Sequence, residues 1–197
     1  NHIAFNTTNI EKDTQFLIEK GCDLVFNASV NGNTIENYLD TRKFGDLMIS
    51  LRPPADDWEK NWKLNNTSHP LVKDWIISGV GIVVEDIGQA TEYYLNLGFS
   101  VREAEKEYED LEVKSHQLKV GPLVFELLES TSKDSIYHDC LVNRGQGVAD
   151  MMFLVEDINV EVEKLVERGA NLLLSTNKYA VFDTRKEGNT LTRLLQR

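Results

Sequence analysis

Apolar residues recur at helical spacing in three places along the chain. In each place, mostly apolar side chains at positions i, i+4, i+7 and i+8 are followed three residues later by a glycine. The spacing is that of the buried stripe of a short amphipathic helix, and glycine commonly ends a helix. The pattern therefore predicts three helices of similar length, at 10–21, 87–98 and 158–169.

Runs of strand-forming residues surround each predicted helix. One run precedes it, at 2–5, 80–84 or 151–155, and two or three more follow it. The first and third blocks also share the tetrapeptide Asp-Thr-Arg-Lys, at 40–43 and 183–186, and each copy has a glycine two residues later. Self-similarity of this kind is the signature of a repeat. The sequence thus predicts a β-α-β-β-β module that occurs three times.

One helix covers only one face of a module's sheet, so we expect such modules to work in pairs. Residues 52–74 match no module. Pro53 and Pro54 stop the first one, and Trp58 and Trp62 fall at helical spacing before a polar stretch. We predict a single module at 1–51, a linker with one short helix at 52–74, and a complete two-module domain at 75–197.

Composition excludes some classes of partner. The chain has 197 residues, with 21 Lys+Arg against 32 Asp+Glu and a formal net charge of −11. So acidic a protein repels phosphate backbones, and no nucleic-acid partner is expected. No apolar stretch approaches the ~20 residues of a membrane span, and Cys22 and Cys140 are too few for a disulfide framework. We expect a cytoplasmic protein with no membrane partner.

Two runs carry a family resemblance: FELLES at 125–130 and NRGQGVAD at 143–150. With them, the chain resembles the vicinal oxygen chelate superfamily of glyoxalases, bleomycin-resistance proteins and dioxygenases, and most of all its methylmalonyl-CoA epimerase branch. The resemblance covers nearly all of the chain outside the linker. It implies an α+β fold of repeated βαβββ modules that form curved, cup-like mixed sheets.

The resemblance also implies where a metal would bind. In this superfamily two modules hold one divalent ion through a first-strand residue, usually His, and a last-strand Glu or Gln from each. In 75–197 the matching positions are Gly79, Glu126, Asp150 and Arg193. Glycine has no side chain, and arginine is cationic at any working pH. We therefore expect no metal in this domain, and we expect the last three residues to converge, with Arg193 pairing with the carboxylates and binding a small anionic ligand.

The first module differs at the matching positions. His2 stands where the superfamily has its first-strand ligand, whereas Ser50 stands at the last-strand position. The resemblance thus makes His2 a candidate ligand for a divalent metal. By the same resemblance, the catalytic base of the epimerase would fall near Asp110 and Glu112. The stretch 103–112 is so acidic that a carboxylate there is only weak evidence for a catalytic base.

Three functions fit these observations. The first is a metal-dependent epimerase, isomerase or lyase acting on a small carboxylated or acyl-thioester substrate, with its metal site outside 75–197. The second is a metal-free protein that binds a small anion. The third is a structural domain that dimerises or stabilises an active one.

The single module also predicts a partner. Its open sheet face is expected to carry five apolar side chains, which would otherwise meet water: Phe5, Leu24, Phe26, Tyr38 and Leu47. Either about 70 residues before Asn1 form the missing module, or a second chain supplies it in a homo-oligomer. In 75–197 alternation predicts these buried strand residues: Val80, Ile82, Val84, Phe125, Leu127, Met152, Leu154 and Leu194.

Overall fold

A computed structural model of the protein describes residues 2–54 and 72–197. The chain divides into two compact units, Asn1–His69 and Pro70–Arg197. Most of the predicted linker at 52–74, including the helix expected around Trp58 and Trp62, lies outside the described residues.

The first unit contains one β-α-β-β-β module. Its elements are β1 (His2–Asn6), α1 (Ile10–Glu19), β2 (Asp23–Val30), β3 (Asn33–Asp40) and β4 (Met48–Arg52). The side chain of Asn9 caps α1 by accepting a hydrogen bond from the Lys12 amide at 3.0 Å. The strands form one sheet in the order β1-β4-β3-β2, with β1 parallel to β4.

The two faces of this sheet differ from the sequence prediction. Phe5 pairs with Leu51, which pairs with Asn37, and Asn37 donates to Thr14 of α1. Because cross-strand neighbours share a face, Phe5 lies on the helix side. Leu47, which is buried, also lies there by alternation from Leu51. Leu24 pairs with Leu39, two residues along β3 from Asn37, and therefore lies on the helix side as well. The prediction that Phe5, Leu24 and Leu47 lie on the open face is therefore wrong.

The second unit contains two modules. The first has β5 (Ile76–Val83), α2 (Ile87–Asn96), β6 (Ser100–Tyr108), β7 (Val113–Val120) and β8 (Leu123–Ser130). A crossover helix, α3 (Ile136–Arg144), leads to the second. That module has β9 (Gly147–Val155), α4 (Ile158–Glu167), β10 (Asn171–Ser175), β11 (Tyr179–Asp183), the short α5 (Arg185–Gly188) and β12 (Leu191–Gln196).

All eight strands of this unit form one mixed sheet in the order β10-β11-β12-β9-β5-β8-β7-β6. The modules join where their first strands, β5 and β9, pair antiparallel. Each first strand also pairs in parallel with its own last strand, β8 or β12. The centre of the sheet is therefore built from the first and last strands of both modules.

Two helices cover one face of this sheet. α2 packs on β7 and β8, and α4 packs on β10, β11 and β12. Seven of the eight residues predicted to be buried are buried, and Leu154 is half-buried. Met152 and Leu154 differ from the others because they line a cavity on the opposite face, which we call the cup face.

The crossover helix α3 closes one end of the cup face. Tyr137 and Cys140 of α3 belong to a buried cluster that includes Val83, Leu128 and Leu191. This cluster excludes water from that end of the sheet, while the other end stays open. Among the described residues, no helix is both long enough and apolar enough to cross a bilayer.

Candidate functional site

Three charged side chains meet at the centre of the eight-stranded sheet. Glu126 lies on β8, Asp150 on β9 and Arg193 on β12, and Gly81 of β5 stands opposite both acidic residues in the strand register. Both carboxylates are fully buried, and Arg193 is 2% exposed. We call Glu126, Asp150 and Arg193 the triad. The structure brings these residues together, as their positions in the repeat predict.

Arg193 lies between the two carboxylates. Its Nη2 donates a close hydrogen bond to Oε2 of Glu126 and a longer one, at 3.4 Å, to Oδ1 of Asp150. Its Nε lies 3.1 Å from Oδ2 of Asp150, although it lacks the alignment of a hydrogen bond. Nη2 also contacts Sδ of Met152 at 3.1 Å. One guanidinium thus pairs with two carboxylates that would otherwise repel each other, and it offsets one of their two negative charges.

Other residues complete the hydrogen bonding of Glu126. Oγ of Ser115 donates to its Oε1 at 2.6 Å, and Nε2 of Gln117 donates to the same oxygen at 3.2 Å. Ser115 and Gln117 alternate on β7, the strand beside β8. Residues two apart on a strand point to the same face, so the polar pair Ser115 and Gln117 could have indicated from the sequence that β7 supports a buried polar group.

Asp150 has its own partners. Tyr137 of α3 donates to Oδ2 at 2.5 Å, and the backbone N–H of Gly81 donates to Oδ1 at 3.0 Å. A Cβ at Gly81 would come within 2.5 Å of Oδ1, so only glycine allows this approach. Sequence analysis missed both partners, because each depends on how distant elements dock.

The surroundings shift the acidity of the two carboxyl groups in opposite directions. Burial alone would raise the pKa of Glu126, but Arg193, Ser115 and Gln117 together outweigh it and lower that pKa. Burial dominates at Asp150 and raises its pKa, despite the nearby guanidinium and the Tyr137 hydroxyl. Burial also disfavours the charge on Arg193, yet the two carboxylates hold its pKa well above the ordinary value.

These shifts predict how acid affects stability. Because the folded-state pKa of Glu126 lies below its ordinary value of 4.5, its ionised form contributes stability that is fully present above that value and lost as the pH falls through the folded pKa. We expect Glu126→Gln to lose less free energy of unfolding than the unmodified protein between about pH 5 and about pH 2.5. Urea unfolding at several pH values measures this difference. Parallel losses in the two proteins would contradict it.

The superfamily's metal does not fit at the triad. A Cβ on Gly79 would lie 2.2 Å from the backbone oxygen of Val124, so β5 has no room for a side chain there. Arg193 places a fixed positive charge between the two carboxylates that remain. Of the four matching positions, one is therefore blocked and one is cationic, so only two remain that could ligate a divalent ion, and both already pair with Arg193.

The other predicted site residues lie elsewhere. His2 is exposed on β1, and its ring contacts that of Tyr38 with centroids 5.0 Å apart. Ser50 is buried and donates to Oε1 of Glu36 at 2.9 Å. Asp110 and Glu112 lie in the turn between β6 and β7, where the intervening Leu111 joins the cluster under α3. Within residues 2–54 and 72–197, no three His, Cys, Asp or Glu side chains form a metal-binding group.

The open end of the cup face holds a cavity of about 720 Å³. Its floor includes Met152 and Gln117, which contact Arg193 and Glu126 respectively. Three basic side chains and one acidic side chain line it: Arg102, Lys106, Lys178 and Glu103. The apolar part of the lining includes Ile76, Ile77, Val124, Leu154 and Leu195. In a chain with a net charge of −11, this excess of basic residues marks the cavity as suited to an anion with an apolar body.

Comparisons with known proteins agree with this architecture. The family model described as the Glyoxalase/Bleomycin resistance protein/Dioxygenase superfamily matches residues 79–187. The match begins at Gly79 in β5 and ends within α5, so it contains Glu126 and Asp150 but not Arg193.

Solved structures with the same fold include a hypothetical protein from Bacillus halodurans. It is 20% identical over 64% of this chain and 96% of its own, with a TM-score of 0.55. The methylmalonyl-CoA epimerase from Mycobacterium tuberculosis is 23% identical over 61% of this chain and 86% of its own, with a TM-score of 0.55. A variant of the Streptomyces coelicolor methylmalonyl-CoA epimerase, in complex with 2-nitronate-propionyl-CoA, is 23% identical over 61% and 93%, with a TM-score of 0.56. At these identities, the likeness shows the fold alone.

Proposed function

Because the chain belongs to the glyoxalase/bleomycin resistance protein/dioxygenase superfamily, we propose that its second unit binds a small anionic molecule in the cup without a metal ion. The family membership and the glyoxalase-like fold confirm the sequence predictions. One fold of this kind hosts many chemistries, so the activity has to be argued from the site itself.

The position of Arg193 is the observation that carries the proposal. Its guanidinium lies between Glu126 and Asp150 and forms ion pairs with both of them. A substrate therefore meets no open coordination position at the floor of the cup. Arg193 is 2% exposed. We therefore propose that it does not pair with the ligand directly. Instead, Arg193 and its two carboxylates form the fixed floor of the cup on which the ligand rests.

The direct contacts would come from the walls of the cavity. Arg102 and Lys178 are exposed basic residues at the cavity, and Lys106 lies over the ring of Tyr108, 4.9 Å from its centroid. Cations that border a water-depleted cleft attract an anion more strongly than cations on an open surface do. The apolar walls would hold the rest of the ligand, with Gln117 and Asn177 supplying polar contacts.

Binding of a matched pair of dyes tests the proposal. 1-Anilinonaphthalene-8-sulfonate carries an anionic group on an apolar body, and N-phenyl-1-naphthylamine is its neutral counterpart. We expect the double variant Arg102→Gln/Lys178→Gln to bind the anionic dye roughly tenfold more weakly, since each lost charge pair contributes up to about 1 kcal/mol. Affinity for the neutral dye should hardly change. Fluorescence titration measures both, and EDTA should leave both affinities unchanged.

Control variants tie the result to the cup. Lys119 and Lys133 are exposed and do not line the cavity, so Lys119→Gln/Lys133→Gln removes the same charge elsewhere. Leu154→Trp should fill the cavity and weaken binding of both dyes. Equal losses in the cup variant and the charge-matched control would contradict the proposal, and so would binding that disappears with EDTA.

An epimerase, isomerase or lyase activity on a carboxylated or acyl-thioester substrate stays a prediction. It would need a divalent metal at a site that includes His2, and His2 lies on the open face of the first unit, beside Tyr38. The cytoplasmic location also stays a prediction. We propose further that residues 2–52 associate with another module of their own kind, because no helix within the described residues of the first unit covers the second face of their sheet.

A further inference from the structure

The turn between β2 and β3 holds a side chain and a backbone amide that can react with each other. β2 ends at Val30 and β3 begins at Asn33, so the turn consists of Asn31 and Gly32. The φ angles of these two residues are 52° and 79°. Both are therefore left-handed, as in the two-residue type I′ turn that asparagine followed by glycine favours. The sequence contains this dipeptide once.

The structure restrains neither of the two reacting groups. Asn31 and Gly32 are exposed, and a Cβ built on Gly32 would meet nothing within 4 Å, so water reaches the turn. The hydrogen bonds that close such a turn join the residues that flank it, here Val30 and Asn33. Within residues 2–54 and 72–197, neither the Gly32 N–H nor the Asn31 side chain has a hydrogen-bond partner.

We infer that Asn31 is a site of spontaneous deamidation. The backbone nitrogen of Gly32 loses its proton to a base in the solvent and attacks Cγ of Asn31. The new C–N bond closes a succinimide ring, and the side-chain nitrogen leaves as ammonia. Water then opens the ring at one of its two carbonyls, which leaves either an aspartate or an isoaspartate. The net reaction exchanges ammonia for water and needs no oxidant or reductant.

Glycine favours this reaction because it has no Cβ. The Asn31 side chain can close onto the next amide without a clash, and the turn can adopt the conformation that the attack requires. The tight turns of the second unit differ. β7 and β8 are joined by Gly121 and Pro122, with no asparagine, and the exposed Asn177 between β10 and β11 is followed by Lys178. The inferred site therefore belongs to the first unit, and it does not depend on the anion site proposed for the second.

The two products affect the hairpin differently. Each replaces a neutral side chain with a carboxylate. Aspartate keeps the normal backbone and tolerates the left-handed conformation. Isoaspartate carries the chain through its side chain and lengthens the backbone by a methylene, so a two-residue turn no longer matches the strands that it joins. We expect the pairing of β2 with β3, including that of Phe26 with Tyr38, to loosen in the isoaspartyl form.

Peptide mass spectrometry of the whole chain, incubated at mildly alkaline pH, tests the inference. Asn177 is the internal control, since it is exposed in the same sample and precedes a residue with a Cβ. We expect Asn31 to be converted at least roughly tenfold faster than Asn177. In water enriched in heavy oxygen, the product should carry the heavy isotope. Conversion of Asn31 that is no faster than that of Asn177 would overturn the inference, and so would a product without the isotope.

A matched variant separates the effect of charge from that of backbone length. Asn31→Asp carries the same new charge as the isoaspartyl form but keeps the normal backbone. After chromatographic separation, backbone amides in β2 and β3 should exchange faster in the isoaspartyl form than in Asn31→Asp or the unmodified protein. Amides in β7 and β8 are the reference and should not change. Equal exchange in the isoaspartyl form and Asn31→Asp would overturn the expected loosening of the hairpin.

Discussion

Replacing Arg193 with methionine should lower the free energy of unfolding of the second unit by about 3–5 kcal/mol at pH 7. Methionine fills similar space but leaves Glu126 and Asp150, both fully buried, without a counter-charge. Ser115, Gln117, Tyr137 and the Gly81 amide would still donate hydrogen bonds, so the loss isolates the charge. Urea unfolding followed by circular dichroism measures the difference.

Two comparisons separate charge from packing in this experiment. The triple variant Glu126→Gln/Asp150→Asn/Arg193→Met removes all three charges and should recover most of the lost stability, because a neutral centre costs far less than an unpaired buried carboxylate. Arg193→Met alone should also regain stability relative to the unmodified protein as the pH falls, since its carboxyl groups can then be protonated. If the triple variant is as unstable as the single one, the guanidinium acts through its packing and the electrostatic interpretation fails.

Gly79→Ala should cost about 3 kcal/mol, the upper part of the range for overpacked cores. The added Cβ would stand 2.2 Å from the Val124 oxygen and 2.8 Å from its Cβ, and a backbone oxygen cannot turn aside as a flexible side chain can. To make room, β5 would have to move away from β8 at the centre of the sheet. The loss should therefore appear as a lower midpoint in urea unfolding.

Gly188→Ala is the matched control for this prediction. Its Cβ would meet Oγ1 of Thr190 at 3.7 Å, an ordinary contact, so the change in stability should stay within about 0.5 kcal/mol. If Gly79→Ala were as mild as Gly188→Ala, the strand could accept a side chain. The claim that β5 has no room for the superfamily's first-strand ligand would then be wrong.

The repeat was readable from the sequence because its signals are local. The 3.6-residue stripe and the final glycine mark α1, α2 and α4, and each strand run lies within a few residues of its helix. Alternation within a strand also placed Glu126 and Arg193 on the face opposite Phe125 and Leu194. The convergence of the triad could also be predicted, because its residues lie on the first or last strands of two equivalent modules, and these strands meet at the centre of the sheet.

The hydrogen-bond partners of the triad and the faces of several strand residues depend on contacts between distant segments, and only the tertiary structure shows them. Tyr137 reaches Asp150 only because α3 docks under the sheet, and Ser115 reaches Glu126 only through the register of β7 on β8. The faces of Phe5, Leu47 and Met152 likewise depended on strand pairing. Hydrophobic periodicity is a property of neighbours along the chain, whereas register and docking are fixed by packing between segments far apart in sequence. The sequence therefore determined the modules and the charges at their centre, and the packing of module on module decided that Arg193 pairs with both carboxylates there.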